Sequence, residues 1–107
     1  MSNKMMPLND FFNLHKSLNK DEVILDVRRP DEFEAGHIEN ARNIPVDQVA
    51  AFVDELRKYS TIYIHCKRGG RAKTAYEILS NAGLSNLVCI HDAGMDQWME
   101  LGFPVKN

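Results

Sequence analysis

The sequence predicts a doubly wound α/β fold with three layers, α/β/α, and a central, mostly parallel sheet of about five strands. The first observation is that short apolar runs occur at residues 22–27, 61–65 and 87–91, each typical of a strand buried on both faces. The second is that apolar residues recur at helical spacing over residues 46–59 and 72–82, between and after these runs. Strands that alternate with helices favour a parallel sheet covered on both faces.

Shorter elements complete the predicted order. An amphipathic helix is expected over residues 8–18, where apolar side chains follow helical spacing. One or two helical turns are expected over 30–36, because proline suits the first helical position and glycine ends a helix. Residues 37–45 are predicted to form an irregular crossing that accommodates a short strand at 42–44, and a last helix is expected over 95–101.

The composition predicts one globular domain over residues 1–107, with its core at residues 8–105. Hydrophobic residues make up 44% of the chain and charged residues 26%, which argues against a disordered tail. The net charge of −2 argues against nonspecific binding to nucleic acid or to a membrane surface. No apolar run approaches the roughly 20 residues that span a bilayer. No signal peptide is evident, and we expect a cytoplasmic protein.

The segment after the strand at 61–65 carries the strongest chemical signal. The strand leads into Cys66, the glycines Gly69 and Gly70 follow, and Lys67, Arg68 and Arg71 surround them with positive charge. A helix begins directly afterwards, so its N-terminus and the backbone N–H groups of the loop are expected to face the sulfur. Such surroundings stabilise a thiolate. The sequence therefore predicts a reactive cysteine in a cradle that binds a small anion.

Two charged residues, Asp26 and Arg28, lie at the carboxyl end of the first predicted central strand. Ligands of open α/β sheets bind at this end of the strands. Arg71 has two candidate roles: it pairs with a carboxylate and closes the loop, or it contacts substrate. We favour the pairing, with Asp26 as the expected partner. For Arg28, lining the site and tying down a loop are equally open alternatives.

Three separated stretches resemble the signatures of one family, the rhodanese-like domains. Residues 26–45, DVRRPDEFEAGHIENARNIP, resemble its first signature, and CKRGGRA at 66–72 resembles its active-site loop. GMDQW at 94–98 and LGFPV at 101–105 resemble its C-terminal signature. The resemblance covers almost the whole chain, from about residue 8 to 105, and it implies the doubly wound α/β fold.

The resemblance implies sulfur transfer through a persulfide on Cys66. The implied donor is thiosulfate, because Lys67 and Arg68 resemble the basic pair beside the cysteine in members that use this anion. Relatives that use 3-mercaptopyruvate have a more neutral loop. The implied acceptor is cyanide or a thiol, with a thioredoxin-like protein among the candidates. No cofactor is implied, and the spacing of cysteines and histidines suggests no metal site.

Two other functions stay open on the same fold. Cysteine phosphatases and arsenate reductases also use a loop cysteine, but in the phosphatases five residues separate it from the arginine. Here four residues separate Cys66 from Arg71, which favours the sulfurtransferase form. A noncatalytic binding module is the other alternative, and the intact cysteine argues against it.

Two further residues near the loop are expected to be structural. Cys89 lies within a predicted strand among apolar neighbours, which favours core packing over a role as a resolving thiol. His65 directly precedes Cys66. Side-chain alternation is expected to point His65 to the other face of the sheet, so we discount it as a catalytic base.

Overall fold

The computed structural model describes residues 3–107, and its centre is a five-stranded sheet in which every strand pair is parallel. Along the sheet the order is β1-β5-β4-β2-β3. In chain order the strands are β1 (Lys4–Met5), β2 (Glu22–Asp26), β3 (Arg42–Asn43), β4 (Thr61–His65) and β5 (Leu87–Cys89). The predicted parallel α/β sheet is confirmed.

Burial explains why β2 and β4 are central. Every residue of β4 is buried, as is every residue of β2 after Glu22, so these strands must be covered on both faces. Their register places Leu25 opposite Ile64, and Ile64 opposite Cys89 of β5. Since side chains alternate along a strand, these three residues share one face of the sheet.

Helices cover both faces and complete the three layers. The face that carries Leu25 packs against α4 (Gly70–Asn81) and the segment 46–56, in a core that includes Ala75 and Leu79. The opposite face, which carries Tyr63, packs against α1 (Leu8–Leu14) and α5 (Met95–Glu100). Trp98 of α5 is fully buried there, and its indole N–H donates a hydrogen bond to the Pro104 carbonyl over 2.7 Å.

The helix predicted over residues 46–59 differs from the structure. Val46–Phe52 forms a 3₁₀ helix, and only Val53–Leu56 (α3) is α-helical. Three apolar residues, Val46, Val49 and Phe52, recur at a strict interval of three, which matches the three residues per turn of a 3₁₀ helix. The core contacts of this segment are therefore kept by a tighter backbone than the predicted one.

Smaller differences lie at element ends. The predicted helix over 8–18 is α1 followed by a 3₁₀ turn at His15–Ser17, and α2 spans Pro30–Ala35. Strand β5 ends at Cys89 and not at residue 91. Strand β1 was not expected, because two residues are too few to show a periodic pattern; Lys4 and Met5 pair with Val88 and Cys89.

The topology fixes where a site can form. Successive connections leave β2 and β4 in opposite directions along the sheet, so the strand order switches between them. The carboxyl ends at such a switch point form a crevice that commonly binds ligands. Cys66 follows the last residue of β4 at this position. Within residues 3–107, every helix is too short or too polar to cross a membrane.

Candidate functional site

The Cys66 sulfur is held by the loop that joins β4 to α4. Its Sγ atom accepts hydrogen bonds from the backbone N–H groups of Gly69, at 3.0 Å, and Ala72, at 3.3 Å. Ala72 is in the first turn of α4, so the positive end of that helix faces the sulfur. These contacts would stabilise a negative charge on the sulfur.

Gly69 makes this loop geometrically possible. Its φ of 118° lies in the left-handed region that side chains disfavour. A Cβ atom at this position would lie 2.0 Å from the carbonyl oxygen of His91. Only glycine therefore allows the loop to pass the end of β5 and present its N–H group to the sulfur.

The N-terminus of a second helix, α5, supports the same loop from outside. The N–H of Met95 donates to the Cys66 carbonyl over 2.9 Å, and the N–H of Asp96 donates to the Lys67 carbonyl over 3.1 Å. A Cβ atom on Gly94 would lie 2.3 Å from the Cys66 carbonyl oxygen. The contact orients the Cys66 and Lys67 peptides.

A shallow pocket of about 420 Å³ opens above the sulfur. Its lining consists of the cysteine and loop residues, namely Cys66, Lys67, Arg68, Gly70 and Arg71. Lys67 and Arg68 are exposed. The Arg68 Nε atom donates to the Asp96 Oδ2 atom over 2.9 Å. The predicted anion-binding residues therefore lie together at one opening.

The expected Asp26–Arg71 ion pair is wrong. The Arg71 guanidinium instead binds the Glu32 carboxylate of α2, with Nη1–Oε1 and Nη2–Oε2 distances of 2.6 and 3.0 Å. Strand alternation gives the reason: Asp26 lies on the face of β2 that carries Ile24, whereas α4 and Arg71 lie on the other face. Arg71 does pair with a carboxylate, but it is tied to α2 and not to β2.

Asp26 and Arg28 form their own buried ion pair behind the sheet. Asp26 is 0% exposed and Arg28 is 3% exposed. The Arg28 Nε and Nη2 atoms donate to Asp26 oxygens at 3.0 and 2.8 Å, and Nη2 also donates to the Gly36 carbonyl at 2.8 Å. Of the two alternatives for Arg28, the structure shows the one that ties down a loop.

His65 lies on the same face as this ion pair, away from the Cys66 sulfur, as alternation predicted. Its Nε2 atom is 3.9 Å from the Asp26 Oδ2 atom and has no hydrogen-bond partner among residues 3–107. Burial lowers the pKa of His65, which favours the neutral ring. A neutral ring that faces away from Cys66 does not serve as its base.

Cys89 is a buried thiol in β5, as predicted. Its side chain lies in the apolar core beside α4 and is 0% exposed. Burial raises the pKa of Cys89 to about 12, so the group stays protonated at neutral pH. Both cysteines are free.

A larger pocket of about 460 Å³ lies away from Cys66. It is bordered by the amino end of β2, at Glu22, by His15 to Lys20 and by Ile38 to Asn40. Cys66 follows the carboxyl end of β4, so the two pockets lie at opposite ends of the sheet. The cysteine and the cluster of cations favour the smaller pocket as the candidate functional site. Within residues 3–107, no cluster of three or more His, Cys, Asp or Glu side chains could hold a metal ion.

Glu32 and Asp96 are the site residues that the sequence analysis missed. Both occur in the first turn of a helix, where acidic residues are common for a local reason. Glu32 also has that local role, because its Oε1 atom accepts the backbone N–H of Arg29 over 3.0 Å. An acidic residue near a helix start gives no sequence signal for its long-range partner.

The Glu32–Arg71 pair predicts a pH dependence of stability. The hydrogen bonds from Arg71 lower the pKa of Glu32 from 4.5 to about 2. A group whose pKa is lower in the folded state stabilises the protein above its unfolded pKa, and this contribution is lost as the pH falls through the folded value. For this partly exposed pair, we expect a loss of about 1–2 kcal/mol between about pH 5 and pH 2.

Urea denaturation between pH 7 and pH 2 tests this expectation with Glu32→Gln, which cannot titrate. The variant should be less stable at neutral pH, and the part of the acid sensitivity that Glu32 causes should be absent. Identical pH dependences in the two proteins would contradict the role of the pair.

Comparison with known proteins agrees with this geometry. The family model for the rhodanese-like domain matches residues 13–101. The structure aligns with that of a rhodanese-related protein from Thermoplasma volcanium, at a TM-score of 0.81 and 32% identity, over 96% of this chain and 97% of that one. A structure from Staphylococcus saprophyticus covers 100% of both chains at a TM-score of 0.79 and 26% identity.

Curated relatives share about a third of their aligned residues with this chain. They include the uncharacterised protein YqhL of Bacillus subtilis (35% identity; 70% of this chain, 59% of that protein) and a putative mitochondrial thiosulfate sulfurtransferase of Schizosaccharomyces pombe (32%; 71% and 64%). The thiosulfate sulfurtransferase GlpE of Pseudomonas putida is 30% identical, over 71% of this chain and 68% of that protein. The alignments thus cover less than two thirds of the first two relatives. Together with the fold and the Cys66 loop, the family match over residues 13–101 shows that this chain belongs to the rhodanese-like domain family.

Proposed function

We propose that this protein is a sulfurtransferase that moves sulfane sulfur from thiosulfate to cyanide or a thiol through a persulfide on Cys66. The observation that carries the proposal is the pair of N–H donors, from Gly69 and Ala72, at the Cys66 sulfur. These groups stabilise negative charge on the sulfur that must attack and later leave. The names of two curated relatives, both called thiosulfate sulfurtransferases, support the same reaction class.

The reaction divides into two transfers. In the first, the Cys66 thiolate attacks the outer sulfur of thiosulfate, a new S–S bond forms, and sulfite leaves with the electron pair of the old S–S bond. In the second, the acceptor attacks the terminal sulfur, and the Cys66 thiolate is the leaving group. The same N–H donors stabilise the negative charge on the Cys66 sulfur before the first transfer and after the second. No separate base is therefore required.

The positive loop suits an anionic donor. Lys67, Arg68 and Arg71 surround the opening above Cys66, and the negative charges of thiosulfate are attracted to this region. The opening is shallow, which also suits a thiol carried by another protein, such as a thioredoxin-like acceptor.

Cytoplasmic location remains our proposal, and the free state of both cysteines suits a reducing compartment. The extent of the domain, residues 1–107, also remains a proposal.

Phosphate-ester hydrolysis is disfavoured by the arginine of the loop. Arg71 follows Cys66 after four intervening residues, and its guanidinium is bound by both oxygens of Glu32. An arginine held in this way is less available to surround a phosphoryl group. A test for hydrolysis of p-nitrophenyl phosphate therefore accompanies the sulfur-transfer assay.

Initial rates of thiocyanate formation test the proposal. With thiosulfate varied at several fixed cyanide concentrations, a double-displacement reaction gives parallel lines in a double-reciprocal plot. Cys66→Ser should give no turnover. Hydrolysis of the phosphate ester without sulfur transfer would favour the phosphatase reading. Absence of both activities would favour a noncatalytic module.

Lys67 should contribute more to thiosulfate binding than Arg68 does. Arg68 is paired with Asp96, whereas Lys67 forms no ion pair within residues 3–107. We expect Lys67→Ala to raise the KM for thiosulfate about threefold to tenfold, since loss of one nearby charge changes binding of an anion by roughly 1 kcal/mol in a solvated site. Arg68→Ala should have a smaller effect. Unchanged kinetics in the double alanine variant would contradict an anion-binding role for either residue.

A further inference from the structure

The charges around the Cys66 opening are more balanced than the sequence suggests. The loop contributes three cations, Lys67, Arg68 and Arg71, but two of them are paired with carboxylates from other helices. Glu32 of α2 binds Arg71, and Asp96 of α5 binds Arg68. Among the described residues, Lys67 is the loop cation that forms no ion pair.

Asp96 differs from Glu32 in its position. Glu32 binds Arg71 with both oxygens and also caps its own helix, so its removal would disturb α2. Asp96 contacts the loop in two ways. Its backbone N–H binds the Lys67 carbonyl, and its carboxylate binds the Nε atom of Arg68, a residue that lines the pocket. Asp96→Asn leaves the backbone contact in place and removes the negative charge that pairs with Arg68.

We propose that Asp96 is a specificity-determining residue that limits the positive charge at the Cys66 opening and so sets its preference between doubly and singly charged sulfur donors. The preference between donors rests on the proposed sulfurtransferase activity. The effect of Asp96 on the charge at the Cys66 opening is independent of that activity. A carboxylate near the opening repels every incoming anion, and it repels a dianion twice as strongly as a monoanion at the same distance. It also offsets the charge of Arg68, which is exposed and would otherwise attract the donor.

Reaction of Cys66 with two alkylating agents tests the charge directly, without any sulfur transfer. The Cys66 sulfur attacks the CH₂ carbon of either iodoacetate or iodoacetamide and displaces iodide, and the two reagents differ by one negative charge. We expect the rate constant for iodoacetate, divided by that for iodoacetamide, to rise about twofold to fivefold in Asp96→Asn at low ionic strength. The increase should disappear in 0.5 M salt because of screening. Intact mass and peptide mapping show that Cys66 is the residue alkylated.

Two controls isolate the charge of Asp96. Asp96→Glu keeps the charge and should retain a ratio near that of the wild-type protein. Asp10→Asn removes an exposed acidic residue from the first turn of α1, which matches the change in net charge and in helix dipole away from the pocket. Its ratio should equal that of the wild-type protein. An equal rise in Asp10→Asn, or no rise in Asp96→Asn, would overturn the proposal.

Steady-state kinetics test the selectivity. Asp96→Asn should lower the KM for thiosulfate, a dianion, about threefold to tenfold, and should lower the KM for benzenethiosulfonate, a monoanion, by a smaller factor. Equal changes for the two donors would contradict the selectivity. If neither donor is used by the wild-type protein while the alkylation ratio rises as expected, the proposed function fails and the role of Asp96 in the charge at Cys66 stands.

Discussion

Replacing Gly69 with alanine should reduce kcat/KM for sulfur transfer about 100-fold or more, the range seen when one preorganised N–H donor is lost from an anionic transition state. The added Cβ atom would lie 2.0 Å from the His91 carbonyl oxygen, which is backbone and cannot rotate away. The loop must therefore move. The N–H of Gly69, now 3.0 Å from the Cys66 sulfur, would move with it.

Gly102→Ala is the matched control for this variant. Gly102 also has a positive φ, of 75°, but a Cβ atom there would meet no atom within 4 Å. The two variants share a conformational cost of roughly 1–2 kcal/mol, and only Gly69→Ala adds a collision. Sulfur transfer at the wild-type rate in Gly69→Ala, or an equal loss in Gly102→Ala, would contradict the role of the loop. Circular dichroism shows whether each variant is folded before its kinetics are measured.

Replacing Asp26 with asparagine should lower the free energy of unfolding by about 3–5 kcal/mol, the usual cost of removing one partner of a buried ion pair. The substitution would leave the Arg28 guanidinium charged and buried, with the Gly36 carbonyl as its other hydrogen-bond acceptor. Asp26 lies on the opposite face of the sheet from α4, so activity per folded molecule should be affected less than stability.

Urea denaturation of Asp26→Asn and Asp31→Asn separates burial from charge. Asp31 pairs with Arg29 on the surface, where the two side chains are 70% and 65% exposed. Solvent screens such a pair, so its loss should change stability much less. If the two variants were equally stable, the buried pair would not be a main support of the fold. Loss of activity in folded Asp26→Asn would place Asp26 closer to the chemistry than the structure does.

The elements that sequence predicts well here are those with local signals. Around Cys66 the signals are adjacent in the chain: the apolar run at 61–65, the cysteine and the glycines. The order of strand, loop and helix can therefore be predicted from the sequence. In β4, and in β2 after Glu22, every residue is buried, so neither strand shows the polar–apolar alternation of a half-exposed strand. The alternation of side chains along a strand, which is also a local rule, correctly predicted that His65 faces away from Cys66.

The elements that sequence predicts poorly depend on distant partners. Arg71 is 39 residues from Glu32, and its partner is selected by which side of the sheet α2 reaches, not by any pattern near Arg71. Asp26 has the charge needed to pair with Arg71 and lies at the expected end of β2, but its side chain is on the other face of the sheet. The 3₁₀ helix at 46–52 has a similar cause, because i and i+3 spacing suits both helix types and tertiary packing decides between them.

If Cys66 carries the transferred sulfur as a persulfide, intact mass spectrometry at neutral pH should detect the added atom on the protein. The pure protein is incubated with thiosulfate, desalted and weighed beside Cys66→Ser, which retains Cys89. We expect a gain of one sulfur atom, about 32 Da, in the wild-type protein alone, and its release as thiocyanate by cyanide. No gain with thiosulfate or benzenethiosulfonate, or an equal gain in Cys66→Ser, would contradict it.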